Sequence, residues 1–195
     1  NNINKSKDNR FLKHDIQKVF NVKNNINVTN FFNDINCIKI DGIIGGPPCQ
    51  AYSMEGRARD PNKMENDYRN FLFESYIDWL IRYKPSFFVL ENVTGMLSAK
   101  PGGRSIPNLM SRAFKEIGYE IPCISKRIVY NLADFGAPQN RKRVILFGVR
   151  KNKNVNAIKM VECFYNLLDK QMTLPSDVSS TIKDLPKLLP LEITK

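Results

Sequence analysis

The side chain best suited to covalent chemistry in this sequence is Cys49, which follows two consecutive prolines. The prolines stiffen the backbone in front of the thiol, and a short apolar run ending in Gly45-Gly46 precedes them. A cysteine held on rigid backbone just beyond a strand can act as a nucleophile. An ordinary buried turn cysteine fits these six residues equally well, so the hexapeptide alone leaves both interpretations open.

A carboxylate follows a second apolar run, because Glu91 comes directly after Phe-Phe-Val-Leu at 87–90. Burial at the end of a strand is costly for a carboxylate unless it has a partner. A Glu in such a place can hydrogen-bond the nitrogen of a heterocyclic ring. Taken alone, it could equally be a surface residue that caps the next turn.

Polar residues alternate in a third cluster, Gln139, Arg141 and Arg143, at the start of a predicted strand. Alternate residues of a strand share one face, so all three side chains are expected to point the same way. Two arginines there suit a phosphate or a base oxygen. A solvated basic strand end is the simpler alternative.

Strands and helices alternate along the chain, and the three clusters follow or begin strands. This order predicts an α/β fold with a mainly parallel sheet covered by helices on both faces, and an antiparallel strand pair near its end. Ligands of such sheets bind at the carboxyl ends of the strands. The predicted strands are 41–45, 86–90, 120–131 and 143–150, and the predicted helices are 11–22, 67–83, 106–117 and 155–170.

Composition narrows the classes of function. Thirty Lys and Arg against 19 Asp and Glu give a net charge of +11, which suits a polyanion, nucleic acid before an anionic membrane. A merely basic surface would give the same charge.

The single histidine, His14, argues against a Ser-His-Asp hydrolase or a multi-histidine metal site, and we expect no metal. The four cysteines form no close pair and are expected to be reduced thiols.

Four stretches taken together resemble bacterial-type DNA cytosine-C5 methyltransferases. They are PPCQAYS at 47–53, DYRNFLF at 67–73, ENV at 91–93 and ADFGAPQNRKR at 133–143. The resemblance extends from about residue 33 to 150 and depends on the order and separation of all four stretches.

The resemblance implies a catalytic mechanism. Cys49 would add to C6 of a cytosine flipped out of duplex DNA, and C5 would then take a methyl group from S-adenosylmethionine. Glu91 would hydrogen-bond N3 and the exocyclic amine, and Arg143 would hold O2. Arg141 would order the surrounding site.

The resemblance also implies binding residues. Those for S-adenosylmethionine are Asp34, Ile35, Pro48 and Leu72. Those for DNA are Gln50, Ser53, Arg57, Arg69 and Gln139. The loop at about 50–68 is expected to close over the DNA and contact its phosphates.

The same resemblance predicts the fold of S-adenosylmethionine-dependent methyltransferases, which is Rossmann-like, and the domain organisation. Residues 1–175 are expected to form the catalytic core, and residues 176–195 to begin the connection to a target-recognition domain. The Phe-x-Gly-x-Gly loop that wraps the cofactor in this family has no counterpart in these residues. Residues 1–195 alone are therefore expected to be an incomplete enzyme with poor cofactor binding and no sequence-specific turnover, whereas a molecule that also carries the loop and the recognition domain is expected to be competent. The expected partners are double-stranded DNA and a cognate restriction endonuclease. The protein is expected to be a monomer in the bacterial cytoplasm, associated with the nucleoid and not with a membrane.

Three alternatives remain at this point. A tRNA cytosine-C5 methyltransferase shares the fold, although its usual Gln-Pro-Phe-Thr differs from the Gln-Ala-Tyr-Ser at 50–53. A DNA-binding fragment without catalysis would bind in a salt-sensitive way and form no adduct. A nicotinamide-type enzyme is disfavoured because no Gly-x-Gly-x-x-Gly follows a strand.

Overall fold

A five-stranded sheet organises the part of the chain that the computed structural model describes, residues 39–47, 72–124 and 126–185. The strands lie in the order β1-β2-β5-β3, and β4 also pairs with β5. β1 runs parallel to β2, whereas β5 runs antiparallel to β2, β3 and β4. β5 alone is therefore reversed, which confirms the predicted mainly parallel sheet with an antiparallel strand pair. The strands are β1 (Gly42–Gly45), β2 (Phe87–Val93), β3 (Tyr119–Glu120), β4 (Val129–Asn131) and β5 (Lys142–Arg150).

Helices cover both faces of this sheet. They are α1 (Leu72–Tyr83), α2 (Ile106–Glu116), α3 (Ala157–Lys170) and the short α4 (Val178–Thr181). On one face Phe88 of β2 is fully buried and stacks on Phe114 of α2 with ring centroids 4.6 Å apart. On the other face Phe147 of β5 stacks on Phe164 of α3 at 4.1 Å. Burial alternates along β2 because the face with Phe88 and Leu90 is covered more completely than the face with Phe87 and Val89.

α1 connects the parallel strands β1 and β2 and runs opposite to them. Beyond its end, the Ser86 amide donates to the carbonyl of Asp41 at the start of β1, at 2.8 Å. Its Tyr76 hydroxyl reaches the carbonyls of Ile43 and Val89, at 2.9 and 3.0 Å. The first turn of α1, with Leu72, therefore lies toward the carboxyl edge of these strands.

Tyr165 of α3 fills a gap beside β5. β4 pairs with residues 142–144 of β5 and β3 with residues 149–150, so the backbone between them has no strand partner on that side. The Tyr165 hydroxyl accepts from the Phe147 amide at 2.9 Å and donates to the Ile145 carbonyl at 3.0 Å. One phenol thus replaces the missing ladder hydrogen bonds.

Several boundaries differ from the prediction. The predicted strand 120–131 is two short strands separated by a 3-10 turn at Lys126–Ile128. β2 continues past residue 90 to Val93, because its pairing with β5 extends that far. β1 is not fully buried, since the Ile44 side chain is 76% exposed.

The predicted helix 11–22 and the start of the helix at 67 lie outside the described residues. Within the described ranges no helix has the length and apolar character needed to cross a bilayer.

Candidate active site

Glu91 and Arg143 form an ion pair near the carboxyl end of β2. Glu91 is registered opposite Ile145, and Val93 opposite Arg143, so Glu91 and Arg143 are diagonal neighbours on one face of the sheet. Arg143 Nε donates to Glu91 Oε1 at 2.8 Å. The Arg143 side chain is 16% exposed and that of Glu91 45% exposed. The Glu91 carboxylate is therefore partly open to solvent, whereas the Arg143 guanidinium is largely covered by the protein.

The orientation of Arg143 is fixed by a second hydrogen bond. Its Nη1 donates to the backbone carbonyl of Lys142 at 2.8 Å. In the described part of the chain, Glu91 Oε2 has no comparable partner. Among the described residues, one carboxylate oxygen of Glu91 is therefore paired with Arg143 and the other is not paired.

The segment in front of Cys49 packs against Glu91 and its neighbour Asn92. A Cβ atom on Gly46 would lie 3.0 Å from Glu91 Oε2 and 3.6 Å from the Glu91 carbonyl oxygen. The Asn92 side chain donates from Nδ2 to the carbonyl of Pro47 at 3.3 Å. Glycine at position 46 thus allows the backbone that leads to Cys49 to approach the carboxylate closely.

Asn131 sets the position at which β5 begins. Its Oδ1 accepts from the backbone amides of Arg141, at 2.9 Å, and Ala133, at 3.4 Å. The Leu132 amide donates to the Arg141 carbonyl at 3.0 Å, and this closes the loop between them. β4 pairs with β5 from Asn131↔Lys142 to Val129↔Val144, which places Arg143 opposite Tyr130.

Of the residues predicted for the third cluster, only Arg143 lies within a strand. β5 begins at Lys142, so Gln139 and Arg141 precede the strand and are exposed in the closed loop. Arg143 lies on the strand face that carries Glu91. That the side chains of Gln139 and Arg141 point the same way stays a prediction.

Leu72 is the one predicted cofactor residue inside the described ranges. It is 6% exposed and lies outside the main hydrophobic cluster that includes the other buried residues of α1. This position, in the first turn of α1, is compatible with an apolar wall beside a ligand at the carboxyl edge of the sheet. The other predicted site residues lie outside the described part: Cys49, Asp34, Ile35, Pro48, Gln50, Ser53, Arg57 and Arg69.

Sequence reasoning missed the roles of two asparagines, Asn92 and Asn131. An asparagine two positions after a buried apolar strand is a signal that could have identified Asn92, since a buried amide must find partners. Asn131 precedes a turn, where asparagine side chains commonly bind backbone amides. The described residues contain no group of three or more His, Cys, Asp or Glu side chains that could hold a metal ion.

Comparisons with known proteins identify the family. The family model for C-5 cytosine-specific DNA methylases matches residues 5–193. The type II methyltransferase M.Bpa9945I of Bacillus paralicheniformis is 40% identical over 157 residues, which cover 77% of this chain and 33% of that protein. The type II methyltransferase M.DdeI of Desulfomicrobium norvegicum is 35% identical over 141 residues, 69% of this chain and 32% of that protein.

A solved structure shows the same fold. It is a crystal structure of a protein assigned as a DNA modification methyltransferase encoded within an E. coli prophage. The two structures superpose with a TM-score of 0.59 and 28% sequence identity, and the match covers 88% of this chain and 41% of that chain. The chain spans about one third of the length of its two relatives named above. The chain belongs to the C-5 cytosine-specific DNA methylase family.

Proposed function

We propose that this protein transfers a methyl group to C5 of a cytosine flipped out of duplex DNA, through a covalent bond between Cys49 and C6 of the base. The observation that carries the proposal is the Glu91–Arg143 pair, against which the backbone leading to Cys49 packs. Base flipping is part of the proposal because C5 and C6 cannot be reached inside a stacked duplex.

The polar edge of cytosine matches the groups that this pair offers. The base presents an amino donor at N4 and acceptors at N3 and O2. The Glu91 carboxyl group can accept from N4 and, when protonated, donate to N3. The Arg143 guanidinium, already fixed by Lys142, can donate to O2. Binding of N3 and O2 draws electron density from the ring and favours attack at C6.

The covalent step then follows. The Cys49 sulfur forms a bond to C6, and the displaced electron pair makes C5 nucleophilic. The C5 carbon forms a bond to the incoming methyl group. Loss of the C5 proton to a base and of the sulfur from C6 restores the aromatic ring and frees the thiolate. S-adenosylmethionine supplies the methyl group when it is bound.

Leu72 supports the cofactor assignment because it is a shielded apolar side chain at the carboxyl edge of the sheet and outside the main core cluster. Apolar walls with a few polar groups are typical of such small-molecule sites. Asp34, Ile35 and Pro48 complete the proposed set.

The excess of 11 positive charges favours DNA as the partner. The proposed contacts to DNA are Gln50, Ser53, Arg57, Arg69 and Gln139, and Arg141 orders the site beside them.

We place the catalytic core at residues 1–175 and the start of the connection to a target-recognition domain at 176–195. Every described residue from 171 to 185 is exposed, as a connecting segment would be. A type II restriction-modification system in the bacterial cytoplasm, with a cognate endonuclease, is the proposed setting for a monomeric enzyme.

A product analysis tests the proposal. PCR-amplified duplex DNA, which carries no methylation and many sequence contexts, and unmodified tRNA transcripts are each incubated with S-adenosylmethionine and a form of the protein that carries the cofactor loop and the target-recognition domain. Mass spectrometry of the hydrolysed nucleosides should then detect 5-methyldeoxycytidine from the DNA and no 5-methylcytidine from the tRNA. Methylation of the tRNA alone, or of neither, would overturn the proposal.

A further inference from the structure

Asn92 is the only polar or charged residue of the described part that is buried, with 3% of its surface exposed. It lies on the face of β2 opposite to Glu91, with Phe88 and Leu90 and registered against Val144. Burying an amide there is costly unless both ends of the amide find partners. Both do: Nδ2 donates to the Pro47 carbonyl at 3.3 Å, and Oδ1 accepts from the Val93 amide at 2.8 Å.

The sequence around Pro47 explains why this donor is needed. Pro47 and Pro48 are consecutive, and neither has a backbone N–H. The segment therefore has no backbone donor at these two positions. A hydrogen bond between this backbone and the sheet has to use a carbonyl as the acceptor, and the sheet has to supply the donor. The amide of Asn92, 45 residues away in sequence, supplies that donor.

We propose that Asn92 is a positioning residue that anchors the segment leading to Cys49 beside Glu91; this inference rests on the proposed function. Pro47 precedes Cys49 by two residues, so the Cα atoms of Pro47 and Cys49 can be no more than about 7 Å apart. Anchoring the Pro47 carbonyl therefore limits where the thiol can lie relative to the Glu91–Arg143 pair. Asn92 acts through Pro47 and does not touch the base.

Two substitutions separate positioning from simple stability. Asn92→Asp keeps the shape and the acceptor for the Val93 amide but, when ionised, loses the donor to Pro47. Asn92→Ala removes both hydrogen bonds. We expect Asn92→Asp to lower kcat about 10²-fold at pH 8.5, the loss expected from a displacement of about 1 Å, with the KM for S-adenosylmethionine nearly unchanged.

The pH profile of Asn92→Asp gives a readout that a merely structural role would not move. Burial favours the protonated form of a carboxyl group, and a protonated Asp regains an O–H donor for the Pro47 carbonyl. The ratio of variant to wild-type kcat should therefore rise as the pH falls from 8.5 to 5.5. Asn92→Ala has no such group, and its ratio should stay constant.

A second measurement needs neither DNA nor S-adenosylmethionine. Alkylation of each cysteine with iodoacetamide is followed by peptide mass spectrometry, with the exposed Cys163 as internal control. Both variants should alkylate Cys49 roughly tenfold faster than the wild type, the change expected when a local opening loses one hydrogen bond. The rate at Cys163 should not change.

The inference is overturned if Cys49 alkylation and kcat match the wild type in both variants. It is equally overturned if kcat falls only with the folded fraction and the Asn92→Asp ratio is independent of pH. A wild-type protein that methylates no substrate would refute the proposed function instead. In that case the Cys49 alkylation rates still decide whether Asn92 anchors the segment.

Discussion

Arg143 donates through Nε to Glu91 Oε1 at 2.8 Å, across a diagonal of the antiparallel pair formed by β2 and β5. The two residues are 52 positions apart in sequence and share a face only because Val93 is registered with Arg143 and Glu91 with Ile145. This register brings an acceptor and a donor to the place where the proposed mechanism needs them. A shift of one residue would turn one of them to the opposite face.

Replacing Arg143 with lysine tests this pair. Lysine has a single ammonium group, which cannot reproduce both the Nε bond to Glu91 and the Nη1 bond to Lys142. We expect kcat to fall by about 10²- to 10³-fold, the usual effect of removing one preorganised donor. Steady-state kinetics of methyl transfer measure it. Arg112→Lys is the matched control, since Arg112 pairs with Glu116 on the exposed surface of α2, and it should keep full activity.

Glu91→Gln tests the role of the carboxyl group. Glutamine has nearly the same shape and can still hydrogen-bond the base, but it cannot deliver a proton to N3. Methyl transfer should slow by about 10²-fold, as expected for loss of acid catalysis, while the affinity for DNA changes little. Single-turnover methylation and a fluorescence binding titration give the two values. Equal losses in rate and in affinity would contradict the role proposed for Glu91.

Tyr165→Phe tests the packing that supports β5. Removing the hydroxyl leaves the Phe147 amide and the Ile145 carbonyl unpaired in the gap between β3 and β4. Each unpaired buried group costs about 1–3 kcal/mol, so for the two groups we expect a loss of about 2–6 kcal/mol in the free energy of unfolding at pH 7. Urea denaturation followed by circular dichroism measures it.

The same substitution makes a prediction about alkaline pH. Burial raises the pKa of Tyr165 to about 12, against about 10 for an unfolded tyrosine. The raised pKa means that the neutral phenol stabilises the fold fully below pH 10, and that this contribution is lost as the pH rises toward 12. The wild type should therefore lose more stability than Tyr165→Phe between pH 10 and 12. Parallel losses in the two proteins would show that Tyr165 does not contribute in this way.

The sequence predicts the sheet and its helices because their apolar periods are regular. The helix predicted at 106–117 is observed at Ile106–Glu116, where Ser105 caps its start and Gly118, with φ of 85°, follows its end. The last helix, predicted at 155–170, is observed at Ala157–Lys170. Local composition determines such boundaries, since caps and left-handed glycines act within a few residues.

Contacts distant in sequence could not be predicted in the same way. At the start of β5, the Asn131 side chain binds the amide of Arg141, ten residues away, where β4 pairs with β5. The strand predicted at 120–131 is split, and Tyr165 of α3 binds the β5 backbone in the gap between the two short strands. Glu91 and Arg143 were proposed from a family resemblance, but only the register of β2 with β5 shows that they meet.

Covalent trapping tests the central claim most directly. Duplex DNA is amplified with 5-fluorodeoxycytidine triphosphate in place of deoxycytidine triphosphate, so that every cytosine has fluorine at C5 and the elimination step cannot follow methylation. With S-adenosylmethionine, the wild-type protein should form an adduct with this DNA that survives a denaturing gel, and Cys49→Ala should form none. An adduct of equal yield with Cys49→Ala, or no adduct with a wild-type protein that methylates ordinary DNA, would contradict attack by Cys49.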